Sequence, residues 1–482
     1  MARTVTYITT PEPSGGSGFG ASWQFGTPDN LVYVLPGVSV YSGIGAGGIA
    51  SLTDDNLFVV MGSVIGANFA GASLGFAAFD TFWVTGNSLT VAQGGTVVTF
   101  GSADVPGGTG VEVFGTGNRV TNHGTIIGEF VGIALHSNAA GSGTPIVNTG
   151  VIEGGTGIRM EGPEAVSIEN SGTMRATLAS GTAIDAAANT GAVSLRNPGE
   201  ITGDVVLTGK GDVVSNHGTV FGDLDLGAGS DQFVNRGTVV GDLVLGSGND
   251  VYDGRKGTID GMVDGGTGGD LFYAGSGVDV FIGGDGTDTV SFSGADAVTV
   301  DLLKPEFNAG RATDDVYTGI ENLSGSNASD QLVGDHGANQ LRGRAGDDVL
   351  TGRGGIDILI GGTGKDRLSG GADGDIFRYM STDEFGDVIT DFSATTSNND
   401  IFQFSLAGLG ATPDLGRGLI LKSQFRANTT GAAADANDHF IFRTTDTTLW
   451  YDPDGKGGAA AVMVANLQSD AVLTYEDFLI IA

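Results

Sequence analysis

The chain has 482 residues, of which 86 are glycine and 11 proline, with 40% apolar and a formal charge of −34. The apolar content argues against wholesale disorder, and the low proline argues against collagen or a rigid linker. The charge argues against a nucleic-acid partner, which needs a basic face. The acids are unevenly distributed. Of 56, 12 are Glu and 44 are Asp, and only six Asp (29, 54, 55, 80, 104, 185) precede residue 200. Short carboxylates in excess beside glycine point to acids held in turns, within reach of a hard cation. There is no cysteine, hence no disulfide.

Residues 1–110 read as an apolar, glycine-rich β region that starts or caps a solenoid, or joins subunits. The opening MARTVTYITTPEP lacks the basic-then-apolar pattern of an N-terminal secretory signal. The run LFVVMGSVIGANFAGASLGFAAF (57–79) is long enough to cross a bilayer. Its flanks are Asp54, Asp55 and Asp80, however, and it is rich in Gly, Ala and Ser. Buried solenoid strands or an apolar assembly surface fit it better than a membrane helix.

Over 111–264 six segments share the form U-x-N-x-G-x-U, with U apolar. Their Asn are 122, 148, 170, 197, 216 and 235. Self-similarity at about 20–27 residues marks a solenoid with one coil per repeat. Asn-x-Gly makes the corner, and each Asn amide is placed to pair with the Asn one coil away. From about residue 207 the period settles at 19. Gly203-Asp204, Gly222-Asp223 and Gly241-Asp242 recur at that spacing, as do Asp212, Asp231 and Asp250. The spacing predicts a coil with an Asn corner on one edge and a Gly-x-Asp corner on the other.

Residues 265–291 are three nonapeptides, GGTGGDLFY, AGSGVDVFI and GGDGTDTVS. The sixth places are Asp270, Asp279 and Asp288, and the eighth are Phe272, Phe281 and Val290. After an irregular insert (292–324), six more follow over 325–378. Their sixth places are Asp330, Asn339, Asp348, Asp357, Asp366 and Asp375, and their eighth are Leu332, Leu341, Leu350, Leu359, Leu368 and Phe377. The Asp ladder 212, 231, 250, 270, 288 is expected to climb one edge. This pattern, G-G-x-G-x-D-x-U-x, resembles the RTX, or hemolysin-type, calcium-binding repeat. The resemblance is strong over 265–291 and 325–378 and looser over 207–264. It implies an all-β fold: a parallel β-helix ending in an RTX β-roll (265–378), followed by a C-terminal cap and secretion region (379–482).

The resemblance also implies several calcium ions held between turns of the same edge, two nonapeptides apart. It pairs Asp270 with Asp288, Asp330 with Asp348, Asp348 with Asp366, and Asp357 with Asp375. Glycines such as Gly266, Gly268, Gly275, Gly277, Gly284, Gly286, Gly362 and Gly364 would let the turn aim carbonyl oxygens at the ion. Three departures stand out. Asn339 replaces an acid, and Arg344 and Arg353 replace second-place glycines. Ala297 stands where the partner of Asp279 is expected, two nonapeptides on, with Asp296 beside it. Acid repulsion without calcium, and ions that stabilise only the coiled state, should couple folding to calcium.

The tail, ending EDFLIIA, resembles the end of RTX proteins exported by type I machinery, which implies a secreted or cell-surface location. YDPDGKGG (451–458) lacks the later acid of an EF-hand and reads as a plain turn. No HExxH occurs, the five His are scattered, and the one G-x-S-x-G (GASLG, 71–75) lacks an elbow context. The expectation is a secreted calcium-bound structural protein: a surface-layer, fibre or adhesin subunit. Its partners would be further copies of itself, export machinery and cell-surface polysaccharide. The alternative is a polysaccharide lyase or uronate epimerase on the β-helix. That needs Asp, His, Lys or Arg clustered on an outer face, and the chain before residue 200 is poor in Asp and in bases.

Overall fold

The computed structural model describes residues 4–8, 23–25, 30–44, 49–51, 56–67, 70–74, 86–100, 108–137, 139, 143–178, 181–395, 398–410 and 414–482. Parts of the 1–110 region, and 75–79 of the apolar run, lie outside them. The chain divides into two compact units, Met1–Gly268 and Gly269–Ala482. The described residues are almost wholly β-strand and turn, with five short 3-10 helices and no α-helix.

The first unit is a parallel β-helix. Each coil lays one strand on each of three sheets. In the best-formed coil these are Val213–Asn216, Thr219–Phe221 and Leu224–Asp225. Every strand pairs in parallel with its copy one coil on, as Val214 does with Phe233 and Val220 with Val239. Apolar residues alternate inward, so Val214, Val220, Leu224 and Leu226 are buried together. The apolar run at 57 contributes three strands in succession, Leu57–Val60, Ser63–Ala67 and Ala70–Leu74, one for each sheet. No helix among the described residues is long and apolar enough to cross a membrane. Residues 71–74 of GASLG lie inside the third of these strands.

Three sheets require three corners, one more than the spacing predicts. Asn-x-Gly joins the first sheet to the second. A two-residue Gly-Asp corner (Gly203-Asp204, Gly222-Asp223, Gly241-Asp242) joins the second to the third. The turns ending in Asp212, Asp231 and Asp250 lead back to the first. At the Asn corner the expected ladder is present. Nδ2 of each Asn donates to Oδ1 of the next: Asn122 to Asn148 at 2.8 Å, then Asn170 at 2.7, Asn197 at 2.8, Asn216 at 2.9 and Asn235 at 3.0 Å. All six are buried. The four inner members are therefore both donor and acceptor within one chain of bonds.

The second unit is a two-faced roll that spends one nonapeptide on each face. One face runs through Leu271–Tyr273, Thr289–Ser291, Asn322–Ser324, Gln340–Ala345, Ile358–Thr363, Ile376–Tyr379 and Ile401–Ser405, and ends on Phe478–Ile481. The opposite face includes Gln331–Val333, Val349–Gly354, Arg367–Ala372 and Asp387–Ile389. Every eighth-place residue, from Phe272 to Phe377, is 0–1% exposed. The insert keeps the coil: Thr299–Asp301 pairs with Gln331–Val333, and Val316–Thr318 with Val280–Gly286. The C-terminal hundred residues close the roll with antiparallel strands, Phe440–Arg443, Thr448–Tyr451 and Val462–Leu467. They carry an aromatic cluster of Phe402, Phe404, Phe440 and Phe478.

The Asn ladder gives a direct test. Asn170→Ala takes one acceptor from the Asn148 amide, which keeps the Thr173 and Gly150 carbonyls, and removes the donor to Asn197 Oδ1. It should cost about 1–3 kcal/mol per group left unpaired, read as a lower urea midpoint at saturating calcium. An unchanged midpoint would show that the ladder adds nothing.

Candidate metal centre

The sixth-place acids stand where a turn enters a strand, and they form columns. In each column the backbone N–H of one acid donates to Oδ1 of the acid one coil later. In the first unit Val193 N–H donates to Asp212, Asp212 to Asp231 and Asp231 to Asp250, all at 2.6 Å. In the second unit Asp270 donates to Asp288 at 2.7 Å, Asp330 to Asp348 at 2.7, Asp348 to Asp366 at 2.8 and Asp357 to Asp375 at 2.9 Å. All four expected pairs are therefore brought together, by a bond from backbone to carboxylate.

Four further residues continue these columns and were not anticipated. Asp279 N–H donates to Asp315 at 2.8 Å, and Asp288 N–H to Glu321 at 2.8 Å. Asp366 N–H donates to Asp387 at 3.0 Å, and Asp375 N–H to Asp400 at 2.8 Å. The partner of Asp279 is thus Asp315, within the insert, rather than Asp296 beside Ala297. Each of the four has an apolar residue two places later (Tyr317, Leu323, Ile389, Phe402), which is the acid-x-apolar core of the nonapeptide without its glycines.

The second carboxylate oxygen divides the turns into two kinds. Oδ2 of Asp231, Asp288, Asp348, Asp357, Asp366 and Asp375 is buried with no hydrogen-bond partner. In each of these turns the residue four places earlier has a left-handed φ: Gly227 92°, Gly284 101°, Arg344 89°, Arg353 86°, Gly362 102° and Gly371 107°. In the other kind that residue is not left-handed, and its own N–H caps the side chain. Thr208 caps Asp212 at 3.0 Å, Gly275 caps Asp279 at 2.8, Ser326 caps Asp330 at 2.6 and Asp335 caps Asn339 at 2.8 Å. Gly266, Gly268, Gly284, Gly286, Gly362 and Gly364 are all left-handed, whereas Gly275 and Gly277 are not. The two arginines thus keep the backbone shape of the glycines they replace, at about 1–2 kcal/mol each. Arg353 also forms a two-pronged ion pair with Asp301 of the insert, at 2.6 and 2.8 Å.

The open turns face one another with oxygen. A Cβ built on Gly362 would fall on the Arg344 carbonyl oxygen one coil earlier, and one on Gly364 would fall on that of Gly346. Carbonyls thus occupy the space that side chains would fill. No group of three or more acidic or His side chains converges among the described residues. A cation here would draw on carbonyl oxygens with single carboxylates, a hard, all-oxygen donor set of the kind calcium takes. Orphaned buried carboxylate oxygens beside crowded carbonyls fit that ion. The loop at 451–458 differs, since Asp454 Oδ2 accepts from Gly458 and Ala459, which makes it a self-satisfied turn.

Burial pushes the open-turn carboxyls up: Asp366 to about 6, Asp231, Asp348 and Asp357 to about 7, and Asp375 to about 8. Neighbouring acids add to the rise, as Asp400 and Asp357 do for Asp375. A folded-state value above the unfolded one contributes stability that is fully present below about pH 4 and is lost as pH rises through the folded value. The calcium-free protein should therefore hold its strands near pH 4–5 and lose them between about pH 6 and 8. Millimolar calcium should restore them at pH 8. Circular dichroism against pH, with and without calcium, tests this; equal strand content at pH 8 with excess chelator contradicts it. A second expectation concerns the turn itself. Gly362→Ala would drive its Cβ into the Arg344 backbone, onto the carbonyl oxygen, and should weaken calcium binding at least tenfold by titration. Gly337→Ala, where a Cβ would meet only Asp335 Oδ1 at 3.3 Å, should change it little.

Comparison with known proteins bears directly on these columns. The RTX calcium-binding nonapeptide repeat matches in four copies, at residues 262–294, 315–350, 324–359 and 351–379. Among solved structures, one that is similar is the solution structure of the AlgE6R3 subunit of the Azotobacter vinelandii mannuronan C5-epimerase. It is 26% identical, covering 31% of this chain and 79% of that one, with a TM-score of 0.21. No curated protein sequence matches. The matched repeats, the acid columns and the parallel coils agree: the chain carries RTX calcium-binding repeats on a β-solenoid, and these imply calcium binding at multiple sites.

Proposed function

We propose that this is a secreted calcium-binding structural protein of the cell surface or extracellular matrix, a surface-layer, fibre or adhesin subunit whose folding and assembly are driven by calcium. The observation that carries the reading is the load of buried carboxylates. They are spread one per turn along the coils rather than gathered at a cleft. Such a distribution stiffens a scaffold coil by coil. Within the matched repeats the carboxylates of Asp270, Asp288, Asp348, Asp357, Asp366 and Asp375 are the proposed ligands, with carbonyls of their own turns. Asp279 and Asp330 open their series and contribute less, because their own turns already satisfy them. Calcium at roughly 10⁻⁴ to 10⁻³ M, the range of extracellular modules, would fold such a chain after export. Type I machinery as the route, further copies of the chain as assembly partners, and cell-surface polysaccharide as an attachment complete the proposal.

One feature favours the alternative of an enzyme acting on acidic polysaccharide. The outer face of the third sheet gathers Glu112, His136, Arg159 and Glu161. His136 Nδ1 and Arg159 Nε lie 3.3 and 3.4 Å from Glu161, and the His136 ring stacks on Phe114 with centroids 4.8 Å apart. Burial pushes the Glu112 carboxyl up to about 7, within the range of a general acid. This cluster arises from residues on successive coils that the strand register brings side by side, so it is invisible as a motif.

Electron microscopy of the purified protein separates the two readings. Ordered sheets or fibres in millimolar calcium that disperse with chelator are expected. Calcium-folded monomers that cleave or epimerise uronate polymers, with that activity lost in Glu112→Gln, would overturn the scaffold reading.

A further inference from the structure

The matched repeats begin at residue 262. The acid column of the first unit lies upstream of them, in three-faced coils with an Asn corner. We propose that calcium is also bound there, between the turns Gly227–Asp231 and Gly246–Asp250, and that the adjacent turn Thr208–Asp212 takes no ion. This rests on the calcium reading above and extends it to coils of a different build.

The first argument is the oxygen set. Asp231 is 2% exposed, and its Oδ2 has no partner, although its Oδ1 accepts the Asp212 N–H. Gly227 and Gly246 are left-handed, at 92° and 110°, as are Gly229 and Gly248, at 132° and 147°. A Cβ on Gly246 or Gly248 would fall on the carbonyl oxygen of Gly227 or Gly229. Carbonyls of one turn thus face the next turn, beside a bare carboxylate oxygen. This is the arrangement found at Arg344–Asp348 and Gly362–Asp366, inside the matched repeats.

The second argument comes from the same column further upstream. Strand register places Asn56, Asn87 and Asn118 at the position of Asp212, Asp231 and Asp250, through Thr144, Val166 and Val193. The Asn make the same link between coils. Asn56 N–H donates to Asn87 Oδ1 at 2.9 Å, and Asn87 N–H to Asn118 Oδ1 at 3.0 Å. Asn118 Nδ2 then donates to the Phe114 carbonyl at 3.1 Å, four residues back, where Gly227 stands relative to Asp231. A neutral amide therefore supplies both the acceptor for the coil before and a positive partner for its own turn. At Asp231 the acceptor remains and the positive partner is gone. A fold that can build this column with amides, and buries a carboxylate there instead, has reason to do so if a cation takes the amide's place.

The third argument is the contrast with Asp212. Its Oδ2 accepts from Thr208 N–H at 3.0 Å and from Thr208 Oγ1 at 2.9 Å. Its turn is closed without an ion. Ser326 closes Asp330 in the same way at the start of the second repeat block, with N–H at 2.6 Å and Oγ at 3.0 Å. Each series thus opens on a self-capped turn.

The test compares the full-length wild type with Asp231→Asn and Asp212→Asn, counting bound calcium by equilibrium dialysis at saturating calcium. The Asn of the upstream column show that an amide fits this position. Asp231→Asn should bind at least one ion fewer per chain than wild type, and Asp212→Asn the same number as wild type. Asp231→Asn binding the wild-type number would overturn the inference, as would Asp212→Asn losing as many ions as Asp231→Asn. Wild type binding no calcium would instead overturn the reading on which it rests. Hydrogen exchange on the wild-type chain gives the same answer without variants. Calcium should slow exchange of the amides in 227–231 more than those in 208–212; equal slowing, or none, counts against the site.

Discussion

The fold depends on one hydrogen bond. Where Asn56, Asn87 and the column acids enter their strands, no carbonyl of the neighbouring strand meets the backbone N–H. A side-chain oxygen from the following coil does. Asn supplies it in the first coils, and from residue 212 onward an acid does so, Asp at most turns and Glu321 at one. The two differ in what remains. An amide has donors left to satisfy carbonyls nearby, whereas a carboxylate such as Asp231 or Asp348 has another acceptor that finds no donor. A buried acceptor without a donor costs free energy on the scale of a lost hydrogen bond or more, and a charged one costs more still. The open Asp turns are thus incomplete as protein alone and complete only with a cation.

That incompleteness suits the coils that carry it most. The three-faced coil from Val213 to Asp231 buries Val214, Val220, Leu224 and Leu226. The two-faced coil from Asn339 to Ile356 buries Leu341 and Leu350, while Ile356 is 59% exposed. Two fewer large apolar side chains per coil forgo roughly 3–6 kcal/mol of burial. The roll therefore has too little core per coil to hold against the repulsion of its own acids. Its ions are structural elements in the sense that a core side chain is. Arg353 is a local substitute, since its guanidinium binds Asp301 and the Gly334 carbonyl and ties the insert to the roll.

Much of this was legible in the sequence because a coil repeats its side chains at fixed spacing. The Asn corners and the inward eighth places follow from counting, and the four acid pairs from the resemblance to the RTX repeat. What counting missed has physical reasons. The third corner is only two residues long, so its Gly-Asp repeat at 203, 222 and 241 is visible without showing that it turns the chain onto a third sheet. Asp315, Glu321, Asp387 and Asp400 stand in turns whose length departs from nine, so only the acid-x-apolar triplet survives. The two kinds of turn differ by one φ, four residues before the acid. Thr208, Ser326 and Asp335 hint at it by being polar and able to cap, but Gly275 does not. Arg344 and Arg353 look like defects in a glycine motif, yet they hold the same backbone as glycine. The Glu112 cluster is a property of register, with no local spacing to reveal it.

The direction of the inter-coil bond has a consequence for synthesis. Within each unit the N–H belongs to the earlier coil and the oxygen to the later one. A ribosome makes the earlier coil first, so each turn emerges without the residue that anchors it. Its closure waits for the coil that follows. A partly made chain always ends in an unanchored coil, and a chain cut short leaves its last coil with a free amide rather than a frayed side chain. The coils upstream of the cut keep their anchors. Truncations from the C-terminus should thus loosen one coil beyond the residues removed, while truncations from the N-terminus leave the remaining column intact.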